Sequence, residues 1–124
     1  MKIFKNIFLL FFLFFAIFFL SSIVFSKSFE LTNIIAYPNP FDPKTENLTI
    51  AKKDKTDFDG SVKYIIYDLT MKKIYEDSVQ NSKIIWNGHN KSGQKISSGI
   101  YFIKLIQTKS DKSIGTTIIK ILIH

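Results

Sequence analysis

The chain has 124 residues, 17 lysines, no arginine, 10 acidic residues and no cysteine, for a formal charge of +7. That length allows one domain, and the absence of cysteine excludes disulfide frameworks, zinc–thiolate sites, cysteine nucleophiles and a lipid-modified cysteine anchor. Nine of the 13 phenylalanines lie in the first 25 positions, so the 46% hydrophobic fraction averages a greasy leader with an ordinary remainder. Past residue 26 the chain has 98 residues, 15 lysines and 10 acids, a balance of +5 and too little material for a large enzyme with a deep cleft.

Residues 1–26 have the layout of a secretory signal. Lys2 and Lys5 give a positive start, Ile7 to Leu20 is an unbroken apolar run, and Val24 and Ser26 form a small-residue exit. The alternative is an uncleaved anchor, because Ile7 to Phe25 is long enough to cross a hydrocarbon core with its lysines held on the cytoplasmic side. Either way residues 27–124 are expected outside the cytoplasm, with membrane contact only through residues 1–26.

No stretch after Ser26 keeps a helical apolar period. Short β-branched and aromatic runs recur instead, separated by Gly, Asn, Asp, Ser and Pro. They predict seven strands, over residues 31–37, 47–53, 61–68, 73–79, 82–87, 99–108 and 114–123. Val62, Tyr64 and Ile66 share a face. Tyr101, Ile103 and Leu105 share another, opposite Lys104. Ile119, Ile121 and Ile123 share a third, opposite Lys120. Seven short strands at this spacing point to an all-β, Ig-like antiparallel β-sandwich. All three prolines fall within Tyr37-Pro38-Asn39-Pro40-Phe41-Asp42-Pro43, which reads as a rigid edge segment or turn. Asp57-Phe58-Asp59-Gly60 reads as a turn with Gly60 at positive φ.

Tyr37-Pro38-Asn39-Pro40-Phe41 resembles the opening motif of the carboxy-terminal sorting domains of the bacterial type IX secretion system. Ile65-Ile66-Tyr67-Asp68-Leu69 resembles their central strand. Trp86-Asn87-Gly88, then Gly93, then Gly99-Ile100-Tyr101 resembles their W-[DN]-G, G, G-[VI]-Y block, and Ile118 to Ile123 resembles their closing strand. The same block resembles the Ig-like domain of FlgD-type hook-capping proteins. The resemblance implies a non-catalytic module acting in secretion or cell-surface docking. It would be recognised by a protein of the secretion machinery or cell envelope through the outward face of the last strands, Lys104 and Lys120 included. It also implies the alternatives of a structural or capping piece of an extracellular assembly, or a stub of a longer secreted protein. Met71 stands where the family has glycine. Methionine tolerates positive φ poorly, so this hairpin is expected to use a different turn.

The remaining candidates read as architecture. Trp86 is expected as a core or rim aromatic, with a carbohydrate-stacking platform as the alternative. Gly88, Gly93 and Gly99 fit neither a dinucleotide fingerprint nor a P-loop, and read as conformational. Asp54, Asp57 and Asp59 resemble a calcium loop, but Lys55 and Ile66 occupy ligand positions; a weak site shared with Asp42 is the alternative to a solvated turn. His89 and His124 have no neighbours at ligand spacing. No cofactor, metal or catalytic group is expected. Scattered lysines without arginine argue for solubility and edge protection rather than nucleic-acid binding.

Overall fold

The computed structural model describes residues 6–7, 9–13 and 33–124. Residues 6–7 and 9–13 are helical, and among the described residues no helix is long and apolar enough to cross a membrane. These few helical residues do not support the expected anchor helix, and the exit at Ser26, with the rest of residues 1–26, lies outside the described residues.

All seven predicted strands form. They are β1 (Ile34–Tyr37), β2 (Leu48–Lys52), β3 (Ser61–Tyr67), β4 (Lys73–Gln80), β5 (Ile84–Trp86), β6 (Gly99–Lys109) and β7 (Lys112–Ile123). They divide into a three-stranded sheet, ordered β1-β2-β5, and a four-stranded sheet, ordered β4-β3-β6-β7, antiparallel throughout. Alternation decides which side chains meet between the sheets. Leu48, Ile50, Ile84 and Trp86 come from the first sheet. Val62, Tyr64, Ile66, Tyr101, Ile103, Leu105, Ile121 and Ile123 come from the second. One core between two sheets is the arrangement of a β-sandwich. The three shared faces expected for β3, β6 and β7 are all present.

Two phenylalanines outside the strands complete this core. Phe41 is fully buried and Phe58 nearly so. Residues 57–60 do form a turn with Gly60 at φ 77°, but that turn also inserts Phe58 as a plug. Gln107 is the buried polar side chain of the sheet, and its amide donates to the Asp59 carbonyl beside that plug. Among the described residues no buried side-chain polar atom lacks a partner.

The β6–β7 hairpin uses a tighter turn than expected. Only Ser110 and Asp111 separate β6 from β7, both at positive φ (52° and 61°), as a two-residue hairpin turn requires. The β3–β4 hairpin corrects an expectation: Met71 does sit in the left-handed region, at φ 63°. The Asp68 carboxylate holds it there. Asp68 Oδ1 accepts from the Thr70 amide (2.8 Å), the Thr70 hydroxyl (2.6 Å) and the Lys72 amide (3.0 Å). The Met71 amide donates to the Asp68 carbonyl (3.0 Å). These bonds offset a left-handed cost of about 1–2 kcal/mol, which is why the turn holds methionine at a positive φ.

Candidate recognition surface

The proline segment closes one edge of the four-stranded sheet. The Phe41 amide donates to the Leu122 carbonyl (2.8 Å), and the His124 amide donates back to the Phe41 carbonyl (2.9 Å). Asn39 extends the ladder with its side chain. Its Nδ2 donates to the Lys120 carbonyl (3.2 Å) and its Oδ1 accepts from the Leu122 amide (3.0 Å). A carboxamide has the donor and acceptor of a peptide group, so Asn39 stands in for one extra residue of strand. Proline cannot donate to a ladder, which leaves the asparagine between Pro38 and Pro40 to do so.

Motif pieces far apart in sequence meet here. The Phe41 ring packs on Trp86, with centroids 6.0 Å apart. Trp86 is 2% exposed, and its indole nitrogen donates to the His89 carbonyl (3.0 Å). A ring so enclosed has no free face to offer a sugar, and the platform alternative fails on that ground. Gly88, at φ 76°, lies against the same corner; a Cβ there would come within 2.5 Å of Pro43 Cβ and 3.2 Å of Phe41 Cε1. The loop beyond it is tied by Asn90, whose Oδ1 accepts from the Ser92 amide (3.0 Å) and the Gln94 amide (2.9 Å). Gly93 turns this loop at φ 79° with open space around it. Tyr101 enters the core from β6 just after Gly99, and its hydroxyl donates to the Ser97 carbonyl (2.7 Å). Tyr37, at the head of the proline segment, lies under the Lys55 ammonium, 5.3 Å from the ring centroid.

The carboxylates stay in their own loops. Asp54 Oδ1 accepts from the Thr56 hydroxyl (2.6 Å) and amide (3.1 Å), and the hydroxyl bond holds its pKa below the usual carboxylate range. Asp59 pairs with Lys109 (3.0 Å), which lowers its pKa too. Asp42 Oδ1 accepts from the Lys44 amide (2.9 Å). Among the described residues no three His, Asp or Glu side chains gather to hold a metal ion.

The outer face of the four-stranded sheet is different in character. The registers place Tyr67, Phe102 and Lys120 in one cross-strand row, and Ile65, Lys104 and Ile118 in the next. Lys104 and Lys120 therefore share the outward face of neighbouring strands. Among the described residues neither is paired with a carboxylate. The same face holds an open groove of about 410 Å³ lined by Tyr67, Met71, Phe102, Lys104 and Ile118. Ile118 is 59% exposed and Met71 58%. Sequence reasoning named the lysines, Tyr67 and the strand containing Ile118, and missed Phe102 and Met71 as lining. The available signal was the apolar residues Ile100, Phe102 and Ile106 at the outward positions of β6, where alternation calls for polar ones. Toward β4, Glu76 bonds Lys63 and Lys73 (2.8 Å), and these two ammonium groups, Lys63 foremost, pull its pKa down to about 2.

The family described as the secretion system C-terminal sorting domain matches residues 35–120. Among solved structures the chain is similar to PorZ of Porphyromonas gingivalis, described as an essential bacterial surface component of the type IX secretion system. The identity is 25% and the TM-score 0.59, over 80% of this chain and 12% of that one. It is also similar in fold to dimeric latent PorU from the same organism, at 23% identity and a TM-score of 0.54, over 73% of this chain and 9% of that one. The chain thus spans a small part of either protein. No curated protein matches it. The motif corner at Phe41, Trp86 and Gly88, the two-sheet fold and the match over residues 35–120 agree: the chain belongs to the secretion system C-terminal sorting domain family.

Proposed function

We propose that this chain is an exported, non-catalytic sorting module, with residues 1–26 as a secretory signal and residues 27–124 as an Ig-like unit. It is read as a folded object by a protein of the type IX secretion machinery or the cell envelope. The reading rests on family membership, and one observation supports the choice of recognition face. Most motif residues are buried in the sandwich corner or tied into its turns, while the outer face of β6 and β7 presents an apolar groove lined in part by the unpaired Lys104, with Lys120 on the same face. Exposed apolar surface rimmed by charge is the usual form of a docking site.

The test is charge reversal of Lys104 and Lys120 together, in the full chain expressed in a host with this secretion system. Unchanged melting with lost surface delivery is the expected result. Delivery at the normal level would overturn the assignment. Mass measurement of the delivered protein should show residues 1–26 removed; an intact amino terminus in the inner membrane would replace the signal with an anchor.

A further inference from the structure

Among the described residues, the β7 edge is covered over only half its length. Odd-numbered residues of β7 face β6, and the even-numbered Lys120, Leu122 and His124 turn their backbone groups outward to Asn39 and Phe41. The β6–β7 register is unbroken from Gly115 to Ile123, so Thr116 and Ile118 turn their amides and carbonyls outward in the same way. Among the described residues nothing bonds to these four groups. The covered half satisfies four backbone groups, and the bare half offers four more in register with them. That stretch carries no proline and no inward charge, and its only bulge lies beyond Gly115. An edge left in this state is a template for another strand.

We propose that residues 115–119 of β7 accept an extended segment of a partner protein, alternating acidic and apolar residues, as a fifth strand of the four-stranded sheet. This rests on the recognition face proposed above and adds a backbone component to it. Strand addition takes its affinity from main-chain bonds and its selectivity from alternate side chains. The partner's acidic side chains would fall on the outer face with Lys104 and Lys120, and its apolar side chains on the inner face beside Ile119. Charge selects the occupant. Lys112 and Lys120 flank the bare stretch and Lys104 stands behind it. A second copy would bring the same strand, with its lysines and no acidic side chain to meet them. Carboxylates on a partner would pair with those lysines instead. The β4 edge gives a weaker signal, because Lys63 and Lys73 are already paired with Glu76.

The probe is a short synthetic peptide alternating glutamate with valine, titrated into the isotope-labelled full chain. The expected result is protection of the Thr116 and Ile118 amides from hydrogen exchange, with a matching peptide of lysine and valine giving none. Thr116→Pro should abolish binding while leaving the fold intact, because that amide makes no bond within the sheet. Replacing Lys104 and Lys120 by glutamine should weaken binding by about tenfold or more at low salt. Equal binding of the lysine peptide, equal binding by Thr116→Pro, or no protection at these amides in the unaltered chain would each overturn the proposal. So would self-association through this edge, which assigns it to a second copy. If Thr116→Pro does not fold, exchange in the unaltered chain decides alone. Normal surface delivery of Thr116→Pro, with delivery still lost on charge reversal, would refute the strand and spare the recognition face.

Discussion

The corner built from Phe41, Trp86 and Gly88 and the outer face of β6 and β7 divide the molecule's work. The corner contains several of the residues by which the family is recognisable, and it hides them: Phe41 is fully buried, and a Cβ on Gly88 would strike Pro43. The outer face carries part of one motif, at Tyr67, and leaves Ile118 and Met71 more than half exposed beside lysines. Residues that identify the family are largely those that hold the sandwich shut. Residues able to meet a partner lie mostly where the pattern is loose.

The corner should break hardest. Trp86→Ala removes the largest enclosed side chain together with an indole bond, and should cost about 3–5 kcal/mol in denaturant unfolding. Less severe but more discriminating is the pair Gly88→Ala and Gly93→Ala. Both hold nearly the same φ, so each has a left-handed cost of about 1–2 kcal/mol. Only Gly88 adds a clash with Pro43 and Phe41, which should bring its total to about 2–4 kcal/mol. Equal losses at the two sites would mean that the corner is less tightly closed than its distances imply. On the outer side Met71→Gly should raise stability by about 1 kcal/mol, since glycine takes φ 63° without strain. If it also weakens partner binding, the methionine is there for the groove.

The smallest effect concerns acid. Glu76 has its pKa lowered from 4.5 to about 2 by Lys63 and Lys73, so its ion pairs favour the fold above pH 4.5 and cease to do so as pH falls through about 2. Glu76→Gln should therefore melt slightly below the parent at neutral pH and together with it near pH 2. The gap should shrink in high salt, because the pairs are surface-exposed. Corner variants should show no such convergence.

The sequence disclosed the strands well because each carries its own alternation. Tyr101, Ile103 and Leu105 predict their buried face without knowledge of any neighbour. The partition into β1-β2-β5 and β4-β3-β6-β7 was not legible, since alternation says which side is buried and not which strand lies alongside. Phe41 and Phe58 were hidden for a related reason: they reach the core from turns, where no period applies. Met71 was misread because propensity disfavours left-handed methionine, and the Asp68 bonds that override it exist only in the folded turn. The groove stayed out of sight because its members come from β3, β6, β7 and a hairpin, joined only by register.

The clasp on β7 has a consequence for the order in which the molecule can be finished. Ile121 and Ile123 are core side chains, and Asn39 and Phe41 find their bonding partners only at residues 120–124, about eighty positions later in synthesis. A growing polypeptide that lacks those residues has an open interior and an unlatched proline arm. Locking thus waits until residues 120–124 are available, a closure of high sequence separation that favours late completion of this edge.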